Sequence, residues 1–560
     1  MQRPDLYWSI AFSIFAFTLF ILTQVMLQNV HITTTNGMWK SMDLQSFIDN
    51  PGWQSIDASN ALLFPMHALF AWIFDQLGIF ESLRWRQMAV TNGIFGAFGA
   101  GLCFFFALKW TQSHLSAVLI ASAYCFSGSF ALHSVINEDI IPSAVLMLWA
   151  MLLAGEWFGR PTYRQIFLVA VVFNIGWLIE WRTMFPPLPP MCFALLLSSG
   201  TLPQRMQRLA FFLILIPLGA FIFSAGSWLG GHRSFAGALG YAQHLLWTGK
   251  GVGSGWGGFT TNKFWILWSG ISEAVFGGRY FTNANWMSAP YAASTFIGLA
   301  LVGVMAILGL AFTWRNRLDP AVRAKFVLFY GLFLAGAVFN AYSQPSDPQM
   351  QINIMIVALP GWALIISCIM HYGSRYIHKS GAYVASVALV AIPIWFSHSN
   401  FAKKSGYDAV AQAYRAEMEE ELDLNRTVFL YHGFDGQITW WVAKYDGRTP
   451  EPYKLLPAPS EDPAFKWIDY AREAVQSPDW SGEKHALDVV AKVQRVIDLG
   501  YRVVVPAYFL EDEDYWIISF GSISSAQKAL SIREILQSKF STEITLKSKH
   551  GSDLLEIKVN

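Results

Sequence analysis

Charge is scarce in this chain of 560 residues: 14% are Asp, Glu, Lys or Arg, against 54% hydrophobic and 16% aromatic, with 24 Trp and 44 Phe. A soluble protein with room for three to four domains of roughly 150 residues needs far more polar surface than that. The mean hydropathy of +0.36 agrees, and aromatic side chains collect at membrane interfaces, so the chain reads as a polytopic membrane protein. An excess of one sign of charge is also missing, with 39 Lys and Arg against 38 Asp and Glu. No global field then favours nucleic acid or an acidic partner, and the information lies in where the charges are placed. Cysteine is rare: Cys103, Cys125, Cys192 and Cys368 all fall in apolar runs, with no CxxC pair. They read as small apolar packing residues and report nothing about redox. Solenoid repeats and low-complexity tracts are absent as well.

What the sequence does have is long apolar runs. Stretches of about 17 to 25 residues mark spanning helices at 7–28, 88–108, 115–135, 141–158, 165–181, 186–200, 209–229, 290–313, 326–342, 352–370 and 381–398, eleven in all. The first exceeds the apolar core of about 7 to 15 residues of a cleavable signal peptide and lacks a small-residue cleavage site. Segment 61–80 is apolar enough to span but carries Pro65, His67, Asp75 and Gln76. If it lies in the interface, the even-numbered connections hold Lys109, Arg160, Arg164, Arg205, Arg208, Arg315, Arg317, Arg323, Lys325, Arg375 and Lys379, and the odd short ones only Arg182. The positive-inside rule then puts the even connections and the N-terminus in the cytoplasm and everything after residue 398 outside. Arg84, Arg86, Lys403 and Lys404 count against this arrangement, but a twelfth span at 61–80 would put the whole basic set outside.

Two domains follow: a transmembrane part, 1–398, with external loops 29–87 and 230–289, and a soluble extracytoplasmic part, 399–560. The second loop holds a glycine-rich stretch at 248–260. No strand precedes it and no Lys-Ser/Thr pair follows, so it is no Walker site and reads as a lid. In 399–560 strands are expected at 426–431, 501–508, 541–548 and 553–558, with helices near 463–476, 485–499 and 523–538, an α/β sheet domain.

The N-terminal half has a definite order: one span, a long external loop with Asp43 in WKSMDLQSFID, an interfacial helix containing Pro65, and an arginine-led span from Arg84. The third span then ends outside at Glu138-Asp139 in VINEDIIP. That order resembles the GT-C superfamily of integral membrane glycosyltransferases, which includes lipid A aminoarabinose transferases and protein O-mannosyltransferases, over roughly residues 1–200. The resemblance implies a sugar donor carried on a polyprenyl phosphate or pyrophosphate, and transfer to a lipid, a cell-envelope glycan or a protein on the outer face of the inner (plasma) membrane. It implies Asp43 as the catalytic acid of the first loop and Glu138 with Asp139 as the acidic motif of the second. Glu-Asp departs from the superfamily's frequent Asp-x-Asp, which leaves open whether a divalent metal, Mg or Mn, is held there.

The chemistry supports these candidates independently. A departing phosphate needs positive charge or a metal, and an acceptor hydroxyl needs a carboxylate to take its proton. The competing structural readings are a helix cap for Asp43 and a solvated turn for Glu138-Asp139. Arg182, in IEWRTMFPPLPP, suits a planar fork onto phosphate but equally an interfacial anchor. His67, His244, Lys250 and Asp347 are further candidates for donor or substrate contacts, with Glu273 as a weaker carboxylate; a lone His on an apolar face is more often packing. Trp440 and Trp441 offer sugar-stacking faces or core aromatics. A transporter or flippase of lipid-linked saccharides is the alternative, and it predicts acids in mid-span and paired repeats.

Overall fold

The protein is seen in a computed structural model that describes residues 3–27, 40–41, 44–45, 47–51, 61–81, 83–138, 140–229, 274–275, 320–343, 355–368, 379–402, 413, 416–418, 420–423, 426–430, 482–507, 510, 533–549 and 553–559. Its helices are α1 (Arg3–Leu27), α2 (Leu63–Gln76), α3 (Arg84–Thr111), α4 (His114–Cys125), α5 (Gly128–His133), α6 (Ile140–Trp157), α7 (Tyr163–Ile179), α8 (Leu188–Leu196), α9 (Leu202–Leu229), α10 (Pro320–Ser343), α11 (Leu359–Cys368), α12 (Lys379–Ala402) and α13 (Gly482–Asp498). Among the described residues three helices, α1, α3 and α6, are long and apolar enough to cross a membrane. The span expected at 290–313 lies outside the described residues.

α3 and α6 form the centre of the helical assembly, and α1 lies at its periphery. α1 runs antiparallel to α3, with Phe12 stacked on Phe104 at 5.1 Å and Gln24 Nε2 donating to the Ala89 carbonyl at 2.9 Å. Glycine makes this approach possible: a Cβ at Gly101 would overlap Ser13 of α1, and one at Gly96 would fall 2.5 Å from Ser134 Oγ. α6 runs parallel to α3, from Phe98 against Trp149 (5.9 Å between rings) to Lys109 paired with Glu156. α7 returns antiparallel to α6, and a capping box between Thr162 and Gln165 starts it cleanly.

Three expected spans differ from the continuous helices the hydropathy suggests; in the tenth, 352–370, a turn at Val357-Ala358 precedes the ten-residue α11. The third span is broken into α4 and α5 at Phe126-Ser127, where Ser127 Oγ donates to the Tyr124 carbonyl at 2.8 Å; a serine followed by glycine is a common site of such breaks. The sixth shrinks to α8, nine residues, behind a 3₁₀ turn at Trp181–Met184. Its prolines explain the shortening, since proline lacks the N–H a helix interior requires.

α2, at 14 residues, rises about 21 Å, short of the roughly 30 Å hydrocarbon layer. Its two ends also meet the same end of the assembly. The Leu62 N–H donates to the Leu178 carbonyl at the finish of α7 (2.8 Å), and Asp75 pairs with Arg84 at the start of α3 (2.6 Å). α2 therefore lies across that end and does not cross. Cys103, Cys125 and Cys192 are free thiols, the first two buried.

Toward the C-terminus four strands, β1 (Thr427–Phe429), β2 (Arg502–Pro506), β3 (Phe540–Leu546) and β4 (Leu554–Val559), form one sheet in the order β1-β2-β4-β3. β1 and β2 are parallel, as a crossover requires, with α13 in the connection between them; the other two pairs are antiparallel. Each strand overlaps the segment expected for it, whereas the helix expected near 463–476 lies outside the described residues. Arg502 ties the sheet across its strands, pairing with Glu556 at 2.8 Å and donating to Thr545.

Candidate functional site

The end of the assembly where α3 and α6 begin and α7 finishes holds an unusual amount of buried polar material. Arg84, Gln87, Thr91, Asn92, Ser134, Asn137, Glu138, Ser143, Glu180 and Thr183 are all buried there. Burying polar groups costs free energy unless they are hydrogen-bonded, and three sets of bonds answer that cost. Asn92, on α3, donates Nδ2 to the carbonyls of Ile136 (2.7 Å) and Glu138 (2.6 Å), which fixes the turn between α5 and α6. Asn137, in that turn, donates Nδ2 to Ser41 Oγ at 2.8 Å, which ties the turn to the first loop. Ser143, in the first turn of α6, donates to the Gly176 carbonyl and lies 2.7 Å from Thr183 Oγ1, itself 2.7 Å from the Glu180 carbonyl. Two hydroxyl protons thus serve three contacts, and the 3₁₀ turn 181–184 is held against the start of α6.

These bonds join the segments that carry the acids and the cation picked out in the sequence. Asp43 itself lies outside the described residues, but its neighbours do not. Ser41 is bonded to Asn137, and Leu44 is fully buried in a cluster with Leu63 and Phe64 of α2, Met88 of α3 and Ile179 of α7. Glu138 is described and fully buried, so the solvated turn considered for it is not what is seen: Asn92 draws the backbone inward. Asp139 lies outside the described residues. Arg182 sits in the 3₁₀ turn, one residue before Thr183, and its side chain is not described. His67 is buried on the inward face of α2 together with Phe64, Ala71 and Phe74. His244, Lys250, Glu273 and Asp347, like Trp440, Trp441 and the glycine-rich stretch, lie outside the described residues.

Two charged residues of this end were not among the site candidates in the sequence. Arg84, counted there only as a positive charge on the wrong side, is a buried hub. Its Nη1 donates to Asp75 Oδ2 (2.6 Å) and Gln87 Oε1 (2.8 Å), its Nε to Gln45 Oε1 (2.8 Å), and Gln87 Nε2 returns to Asp75 Oδ1 (2.7 Å). A cation neutralised in this way no longer weighs as a loop charge. Glu180, at the C-cap of α7, is a fully buried acid whose backbone carbonyl accepts from Thr183 of the 3₁₀ turn. The signal was present in the sequence, an acid two residues from Arg182 at the close of an apolar run.

Among the described residues no group of three or more His, Cys, Asp and Glu side chains could hold a metal.

No protein-family model matches the chain, and no curated protein matches it. Two crystal structures of ArnT from Cupriavidus metallidurans are similar to it. The one bound to undecaprenyl phosphate is 12% identical, covers 97% of this chain and 98% of that chain, and has a TM-score of 0.46. The apo one is 12% identical, covers 97% of each, and has a TM-score of 0.49. ArnT is a lipid A aminoarabinose transferase of the GT-C fold. At that identity and degree of superposition the likeness transfers neither an activity nor a residue's role.

Proposed function

We propose that the chain is a membrane glycosyltransferase that moves a sugar from a polyprenyl-phosphate or polyprenyl-pyrophosphate donor to a lipid, cell-envelope glycan or protein acceptor, with inversion. The observation that carries this reading is the pair of bonds, Ser41 to Asn137 and Asn92 to the Glu138 carbonyl, that gathers the first loop and the acidic turn at one end of the helices. Ser143 and Thr183 bring the segment of Arg182 to the same end. Asp43 takes the proton of the acceptor hydroxyl as its oxygen bonds to the anomeric carbon. The bond from that carbon to the phosphate oxygen breaks, and the phosphate departs with the electron pair toward Arg182. Glu138 and Asp139 orient the sugar and acceptor hydroxyls; His67, His244, Lys250 and Asp347 supply donor and acceptor contacts. A donor whose reactive head lies at the membrane surface suits a site at helix ends, with its tail among the lipids.

In this reading the polar end faces outward, with residues 399–560 on the same side, because the opposite end gathers the basic residues that the cytoplasmic side retains. Thiol labelling of single cysteines at Gln112 and Leu77, which lie at opposite ends, checks this: modification of both from one side overturns it. The transfer reading is tested by Asp43→Asn. Removing a general base costs about 10² to 10⁴ in rate, whereas Asn replaces Asp at a helix cap with little loss. The variant is expected to insert, to melt close to the wild-type temperature, to bind the lipid donor and to be nearly inactive. Near-normal turnover overturns the assignment of the base.

A further inference from the structure

The end of the helices opposite the candidate site carries its charges in an order that helix electrostatics disfavours. α7, α9 and α10 begin there with Arg164, with Arg205 and Arg208, and with Arg323 and Lys325, and none has an acid in its first turn. Cations at a helix N-terminus face the positive end of the macrodipole. The acids at this end among the described residues are Asp5, in the first turn of α1, and Glu156, which already accepts from Lys109 Nζ (2.6 Å) and Trp110 Nε1 (2.9 Å). Three of the arginines use their donors on carbonyls where α8 finishes. Arg205 Nε reaches Gly200 (2.9 Å), Arg208 Nη1 reaches Ser199 (2.5 Å) and Arg323 Nη2 reaches Leu197 (2.8 Å).

Arg160 and Arg164 differ from these. Both are exposed, and neither side chain has a hydrogen bond or ion pair among the described residues; the Arg160 backbone N–H donates to the Trp157 carbonyl at 3.1 Å. They flank Thr162, whose reciprocal bonds with Gln165 (2.9 and 3.3 Å) fix the chain where α7 starts. Directly along α7 from this corner, Tyr163, Phe167 and Leu168 are 49%, 46% and 40% exposed, an apolar strip on the first two turns of the helix. A guanidinium pair above an apolar strip matches a molecule with an anionic head and hydrocarbon tails.

We propose that the Arg160–Arg164 corner at the start of α7 binds the phosphate of an anionic phospholipid whose acyl chains lie along Phe167 and Leu168. The positive macrodipole end of α7 adds to the attraction, and the strip selects a lipid over a free anion. The site stands apart from the glycosyl-transfer reading and is tested without an activity assay.

The full chain is purified from mixed phosphatidylcholine and phosphatidylglycerol, and the bound lipids are counted by native mass spectrometry. Each cation at a charged lipid surface contributes about a fivefold preference. The wild type is expected to retain phosphatidylglycerol selectively, Arg160→Gln to lose about fivefold of that preference, and Arg160→Gln/Arg164→Gln about twenty-fivefold. The charge-conserving Arg160→Lys/Arg164→Lys is expected to keep most of it. No selectivity in the wild type, an undiminished selectivity in Arg160→Gln, or displacement of the lipid by inorganic phosphate at matched concentration each overturns the proposal.

Discussion

Where α3 and α6 finish, Arg160 and Arg164 are exposed and Lys109 meets Glu156 half in water; where the same two helices begin, Arg84, Asn92, Glu138, Glu180 and Thr183 are buried. The chain thus treats polar groups differently at its two ends. At the basic end water supplies the missing partners, so a bond there is convenient but replaceable. At the other end each donor needs a particular acceptor, often from a distant segment, because an unmet buried group costs far more than a met one gains. Such costs are tolerated where a site requires polar groups in fixed positions. In the proposed reading the acidic end is the place where chemistry is done, and the basic end is a surface adapted to its surroundings.

The sharpest way to break the comparison is Asn92→Ala. It leaves two buried carbonyls without their donor, an expected loss of about 2 to 4 kcal/mol, visible as a lower melting temperature in detergent, with donor turnover falling as the acidic turn loosens. A loss below about 1 kcal/mol would mean that the turn is held by something else. Next is Arg84→Met. Removing one partner of a buried pair costs about 3 to 5 kcal/mol, but the Asp75 side chain is 27% exposed, so about 2 to 3 kcal/mol is expected after allowing for solvent screening. Adding Asp75→Asn to that variant is expected to recover part of the loss, and its failure to do so shows that Gln45 and Gln87 matter more than the charge. Ser143→Ala removes one bond of a shared set, for about 1 kcal/mol, and is expected to lower turnover more than stability through the 3₁₀ turn of Arg182. The smallest effect belongs to the basic end: Lys109→Met is expected to cost less than about 1 kcal/mol, since Trp110 still donates to Glu156, and less again in high salt. Equal melting shifts for Lys109→Met and Arg84→Met would erase the distinction between the two ends.

Much of the architecture was legible beforehand. Span positions follow from run length, and α2 could be set apart as non-spanning from its proline, its polar tail and the basic count on either side. The strands β1 to β4 overlap the four segments expected for them, short runs rich in β-branched, aromatic and other apolar residues between helical stretches. The broken third span was less legible, since Phe126-Ser-Gly is apolar enough to pass in a hydropathy window and interrupts the helix through backbone chemistry alone. Asp43, Glu138 and Arg182 were singled out as acids and a cation beside apolar runs, and of their side chains the structure describes that of Glu138. Asn92 and Ser143 were invisible because they lie inside spans where nothing marks a polar residue as a strut, and Arg84 was misjudged because charge counting takes no account of pairing.

The sequence by itself determined which segments are apolar enough to cross, which end of them gathers the basic residues, and which acids stand at the other end. These are properties of one stretch of chain at a time. Only the tertiary structure decided that Ser41 meets Asn137 across 96 positions, Asn92 the Glu138 carbonyl across 46 and Ser143 Thr183 across 40, and that Arg84 and Glu180 are buried. The physical reason lies in the helices: α3 and α6 are apolar on nearly every face, so their periodicity does not say which side turns toward which neighbour. That rotation is set by close packing at Gly96 and Gly101, and with it the partner of every buried polar group.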